Sequence, residues 1–249
     1  GRGTFFASEK KALLDVAAPG VAADVNTTAL QHYLTLQYVP EPASMHSAIG
    51  RIESGTYFTM RPGEQVQPHR YFHPDFVTRA VPDPERRYRE IAAVLEDSVR
   101  VHQRSDVPYG LFLSGGIDSA AIATLMARLN ERTVTAFTCG FDAPEARDER
   151  AQAEQVAKAL NLDWRETRFG EAAFWRIAPE VAWALDDPTA DYAPLPTYKL
   201  AEAAKGTLTV VLTGEGGDEL FGGYGRYRRA LRPAWLGGRA AEPRTRDAA

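Results

Sequence analysis

From about Asp83 onward the chain alternates short apolar or β-branched runs with segments whose apolar residues recur at helical spacing, and this alternation constrains the fold more than any other feature. Pro84-Glu85 opens a predicted helix carrying Ile91, Val94, Leu95, Val99 and Val101. A strand at Gly110 to Leu113 follows, then a helix from Asp118 to Leu129 and a strand at Thr133 to Thr138. The pattern continues with a helix at Arg147 to Leu160, a strand at Asp163 to Phe169 and a helix around Glu171 to Leu185. The run TLTVVLT reads as a further, buried strand ending at Thr213. The fold class is therefore α/β, a parallel sheet with helices on both faces. Such sheets bind ligands beyond the carboxyl ends of their strands.

The first seventy-odd residues differ in style. Pro62-Gly63 sits between two β-rich runs and predicts a hairpin, and TTALQHYLTLQY places Leu30, Tyr33 and Leu34 on one helical face with Asn26, Thr27 or Thr28 as cap. The proline-rich stretch FHPDFVTRAVPDPE reads as a linker, and the tail GGRAAEPRTRDAA as disordered. The 249 residues are 44% apolar, enough for one large or two small domains. No apolar run approaches the roughly 18 residues of a membrane span, so no membrane partner is expected and a cytoplasmic location follows. A net charge of −4 gives no footprint for nucleic acid. The single cysteine, Cys139, excludes an internal disulfide or a Cys-x-x-Cys pair, and none of the five histidines has the spacing of a helical metal site.

Chemistry is therefore sought where strands end. In GLFLSGGIDSAAIATLMARL (110–129), Gly115 and Gly116 allow a sharp turn close to a ligand, and the helix that follows aims unpaired amides and its positive dipole end at the same spot. That favours an anion, with Ser114 and Ser119 as extra donors. Asp118 conflicts with it: a carboxylate about 4 Å from a phosphate is repelled by several kcal/mol at an effective dielectric of about 20. A divalent cation removes the conflict, and magnesium, which binds one or two carboxylates plus phosphate oxygens, fits best. Alone, the loop reads equally as a plain turn with an aspartate cap. A second loop of the same kind decides: Thr213-Gly214-Glu215-Gly216-Gly217-Asp218-Glu219 again follows a β-branched strand with glycines and acids. Asp118 and Asp218 can share one magnesium with Glu215 close by, since gathered acids are costly to fold without a cation. A Walker A loop and a Gly-x-Ser-x-Gly elbow are both absent.

SGGIDS resembles the pyrophosphate loop of the N-type ATP pyrophosphatases, and SGGIDS with TGEGGDELFGGY resembles the synthetase domain of the glutamine-dependent asparagine synthetase family. FFASEKKAL and YVPEPASMHSAIGRIESGTYFTM are similar to the last part of that family's glutaminase domain, and DDPTADYAPLPTYKLA to its stretch between the two ATP loops. The resemblance implies an adenine nucleotide alpha hydrolase-like sheet over 76–249, truncated at its C-terminus. Residues 1–75 would be the C-terminal remnant of an Ntn-type glutamine amidotransferase domain. It implies that Ser114, Gly115, Gly116, Asp118 and Ser119 hold the β- and γ-phosphates of ATP. Leu113 and Cys139 would border the adenosine, and Thr213 and Gly214 would contact the nucleotide through their backbone. Asp118 and Asp218 would bind Mg2+, and Glu215, with Asp118, would serve acyl-adenylate formation.

The implied reaction joins aspartate and glutamine-derived ammonia at the expense of ATP, giving asparagine, AMP and pyrophosphate. Another carboxylate, a β-lactam-type product or a silent nucleotide-binding module are the alternative readings. A homodimer is expected of a full-length form. Two departures stand out: the chain begins with Gly1 where the family's glutaminase has an N-terminal cysteine, and the family's phosphate-neutralising lysine lies beyond the segment present. Lys199 is read as an exposed helix lysine, and RYRRALR (226–232) as a phosphate-directed or a solvated face.

Overall fold

The computed structural model describes residues 4–16, 24–61, 63–64, 66–74, 83–142 and 148–233. Pro62 of the expected turn, residues 75–82 of the expected linker, Arg147 and the tail from Gly237 lie outside them. In chain order the elements are α1 (Lys10–Val16), α2 (Thr27–Leu36), β1 (Thr56–Thr59), β2 (Gln67–Arg70), α3 (Pro84–His102), β3 (Tyr109–Phe112), α4 (Ile117–Leu129) and β4 (Thr135–Phe141). They continue with α5 (Arg150–Ala159), β5 (Asp163–Phe169), α6 (Glu171–Leu185), α7 (Pro194–Ala204), β6 (Val210–Leu212), α8 (Gly217–Phe221) and α9 (Gly225–Ala230). Among the described residues no helix is long and apolar enough to cross a membrane. The chain divides into two compact units, residues 1–84 with 170–198 and residues 85–169 with 199–249.

The second unit holds a four-stranded parallel sheet in the order β5-β4-β3-β6. Its longest ladder runs from Thr135 beside Asp163 to Phe141 beside Phe169. The chain moves outward from β3 through β4 to β5 and then returns to lay β6 on the other side of β3. Right-handed crossovers put α4 and α5 on one face. The switch point between β3 and β6 is thus where the loops after these two strands diverge, the place where such sheets bind ligands. The core gathers Leu111, Leu113 and Ala136 of the sheet region with Ala123 and Met126 of α4, Ala153 and Ala157 of α5 and Val99 of α3. Alanines on the helices let them sit close to the strands. β6 is only half-buried and stops at Leu212, where a buried strand to Thr213 was expected. Within the described sheet it pairs on one side only, with β3, and is an edge strand.

In the first unit, β1 and β2 form the expected antiparallel hairpin, with Thr56 opposite Arg70 and Thr59 opposite Gln67. Asn26 caps α2, accepting the Ala29 N–H at 3.1 Å. Ala29 is the buried residue of α2 and Tyr33 is half-buried, while Leu30 and Leu34 are exposed, so of the expected face Tyr33 alone turns inward. Asp186 accepts the Lys10 N–H and, at 3.1 Å, the Lys11 N–H, closing the free amides at the start of α1. Asp187 takes the Lys10 ammonium, the Met45 N–H at 3.1 Å and the Arg51 Nε at 3.9 Å. A cleft of about 950 Å³ in this unit is lined in part by Phe5, Phe6, Lys10, Arg51 and Asp187.

Candidate functional site

The SGGIDS loop leaves β3 under strict control. Leu113 is buried, donates its N–H to Phe137 O at 2.9 Å and receives the Thr138 hydroxyl on its carbonyl at 2.7 Å. The chain then turns through Gly115 and Gly116 into α4, which has no side-chain cap. The loop's amides are satisfied nearby. Ser114 N–H donates to Ser119 Oγ at 3.2 Å, Gly116 N–H to Ser114 Oγ at 3.2 Å, and Gly115 N–H to Glu149 Oε2 at 3.2 Å. The two serine hydroxyls lie 2.8 Å apart. Ser119 is buried and ties the loop together, whereas Ser114 is exposed. Asp118, in the first turn of α4, is half-buried.

The second glycine loop presses on the first. A Cβ at Gly214 would stand 2.6 Å from Ser119 N and 3.0 Å from the Asp118 carbonyl carbon, so backbone meets backbone with no room for a side chain. A Cβ at Gly217 would stand 2.5 Å from Asp118 Cγ and 2.6 and 2.8 Å from its two oxygens. The sequence signal of glycines after both strands has this cause: the loops can touch only if these positions lack side chains. Asp218 follows Gly217 in the first turn of α8, with its carboxylate over Gly223. Glu215 is exposed at the tip of the loop and Thr213 is half-buried at its start. The structure therefore brings together Ser114, Asp118, Ser119, Gly214 and Gly217. It does not gather Asp118, Asp218 and Glu215 into a cluster: among the described residues no three of His, Cys, Asp and Glu are grouped as a metal centre requires.

Cys139 lies on the strand next to β3. Burial pushes its thiol up to about 11, and the positive charges of Lys199 and Arg150 pull the other way with less effect. A thiol so strongly protonated is a wall and not a nucleophile. Lys199 is half-buried, with its side chain 20% exposed and paired with Glu202 at 2.6 Å, in contrast to the exposed helix lysine expected. Three residues at the start of α5, Glu149, Arg150 and Gln152, received no role from the sequence. Gln152 and Glu149 fill the space beside Gly115, where a Cβ would stand 2.6 Å from Gln152 Oε1 and 3.2 Å from Glu149 Cβ. Arg150 lies across Gly140 and grips Asp148 through contacts of 3.0, 2.9 and 2.7 Å. The available signal was topological: β4 is the parallel neighbour of β3, so the loops after them meet.

Two family models match the chain, one described as asparagine synthase over residues 90–248 and one as glutamine amidotransferase domain over residues 1–72. A Mycobacterium tuberculosis protein provisionally named asparagine synthetase (glutamine-hydrolyzing) is 45% identical over 242 residues, covering 92% of this chain and 35% of its own length. Asparagine synthetase (glutamine-hydrolyzing) 1 of Bacillus subtilis is 37% identical over 227 residues, covering 91% of this chain and 35% of its own length. The chain spans about a third of the length of these curated relatives.

Proposed function

The chain belongs to the asparagine synthase family, and from that membership we propose that it carries the ATP-splitting site of an amide ligase. The observation that carries the proposal is the contact of two glycine loops at the sheet's switch point, with the Asp118 carboxylate pressed against Gly217. In this reading residues 1–75 are the last part of a glutaminase domain and residues 76–249 the ATP-binding domain. The substrate carboxylate, the β-carboxylate of aspartate, attacks the α-phosphorus of ATP. The bond to the β-phosphate breaks, pyrophosphate leaves and an acyl-adenylate remains, from which ammonia displaces AMP.

The chain's residues serve that sequence by position and charge. The amides of Ser114, Gly115 and Gly116 and the start of α4 receive the β- and γ-phosphates. Leu113 and Cys139 border the adenosine, Thr213 and Gly214 meet the nucleotide through their backbone, and Glu215 stands at the loop tip to support adenylate formation. Magnesium suits the donor set: Asp118 and Asp218 offer hard carboxylate oxygens, and the missing side chain of Gly217 lets the Asp118 carboxylate reach the second loop. When bound there, the ion offsets the negative charge of the phosphates and of the departing pyrophosphate.

The test is ATP–pyrophosphate exchange in the full-length protein with aspartate present. Asp118→Ala is expected to lower the exchange by about a hundredfold or more, the scale of losing a main charge-stabilising group. Exchange that survives the substitution overturns the assignment.

A further inference from the structure

All three amides of the first glycine loop already have acceptors, and the acceptors differ in kind. Ser114 and Gly116 donate to hydroxyls, which a ligand oxygen replaces by a rotation. Gly115 donates to an anion, the Glu149 carboxylate, from 34 residues further along the chain. Glu149 immediately precedes α5. Its own Cβ and the Gln152 side chain fill the space left open by Gly115, while Arg150, the next residue, is engaged with Asp148 on both carboxylate oxygens. With the Glu149 Cβ seated against Gly115, turning the side chain takes the carboxylate off the Gly115 amide but keeps it within a few bonds of the loop.

We propose that Glu149 is a specificity-determining residue of this loop: it holds the acceptor position at the Gly115 N–H and makes the loop take pyrophosphate groups as their magnesium complex and reject the metal-free anion. The inference rests on the ATP-site reading above and deepens it. A phosphate oxygen that reaches the Gly115 amide evicts the carboxylate without sending it far, and the two anions are left close together. Repulsion at that range weakens binding of the free anion. A divalent cation on the phosphates cancels most of that charge, so the evicted carboxylate then faces a nearly neutralised group. Asp118 alone cannot give this discrimination at the Gly115 amide, because Glu149 is the group seated there.

The experiment is calorimetric titration of the full chain with inorganic pyrophosphate, in excess magnesium and in excess chelator, for the unaltered chain, Glu149→Gln and Glu149→Ala. Glu149→Gln keeps the size of the side chain and an oxygen for the Gly115 N–H, and circular dichroism checks that both variants are folded. The unaltered chain is expected to bind the magnesium complex about tenfold or more tighter than the metal-free anion, one like-charge contact being worth about that factor. Both variants are expected to tighten metal-free binding about tenfold while changing magnesium–pyrophosphate binding by less than about threefold. Metal-free binding that fails to tighten, with the magnesium complex still bound, overturns the role of Glu149 and leaves the ATP site standing. Loss of magnesium–pyrophosphate binding in Glu149→Gln also overturns it, because the carboxylate would then be a metal ligand. If the unaltered, folded chain binds pyrophosphate in neither form, both the ATP-site reading and this inference fail.

Discussion

Along β4, Thr138 and Cys139 point to opposite faces of the sheet, and neighbouring residues of one strand acquire unrelated tasks. Cys139 faces a partly covered region near Lys199, where burial raises its pKa to about 11 despite the nearby positive charges. The raised value means that the folded chain holds the thiol proton to higher pH than the unfolded chain does, so ionising Cys139 opposes folding as pH rises toward 11. Its alkylation by iodoacetamide at pH 8 is expected to be about a hundredfold slower in the native chain than in urea, and to quicken about tenfold per pH unit. Equal rates in the two states would contradict the burial argument. Asp118 was visible in the sequence because it follows a glycine pair after a strand, and Cys139 because the family resemblance implied a place for it beside the adenosine. Glu149 was not, because an acid at the start of a helix is ordinary, and what distinguishes it is a hydrogen bond to a residue on another loop. Sequence spacing carries no trace of such a contact.

At the scale of elements, the first loop depends on how three strands are tied together. The buried Thr138 hydroxyl donates to Leu113 O at 2.7 Å and accepts the Trp164 Nε1–H from β5 at 2.8 Å. Thr138→Val keeps the shape but leaves a carbonyl and an indole N–H without this partner, so unfolding by urea should show a loss of about 1–3 kcal/mol. A loss under about 0.5 kcal/mol would mean that neither group depends on Thr138. Elements whose signal is local were legible: β5 and α6 match their expected bounds, and α4 begins one residue earlier than expected. The others depend on distant groups. α7 starts through Pro194 and Pro196, which suit a first turn. The start of α1 is closed by Asp186, 176 residues from Lys10, and no local cap announced it.

At the scale of the whole chain, the two compact units do not follow the order of the sequence. Residues 170–198 leave the unit that holds the parallel sheet and join residues 1–84, although they fall inside the stretch matched as asparagine synthase. What secures them there is polar. Asp187 receives the Lys10 ammonium, with the two side chains 10% and 13% exposed, and also the Met45 N–H and Arg51. A lysine this buried is tolerated because a carboxylate faces it, and removing one partner of such a pair costs about 3–5 kcal/mol, more than the pair itself contributes. Asp187→Ala should therefore loosen the first unit selectively. Amide exchange at Lys10, Lys11 and Met45 should quicken about tenfold or more, whereas amides of β3, β4 and β5 should keep their protection. Asp187→Asn should fall between the two, since it can still accept the Met45 N–H but no longer carries the charge that Lys10 requires. If β3, β4 and β5 lost protection to the same extent, the two units would be unfolding together and Asp187 would be a determinant of the whole fold, not of one unit.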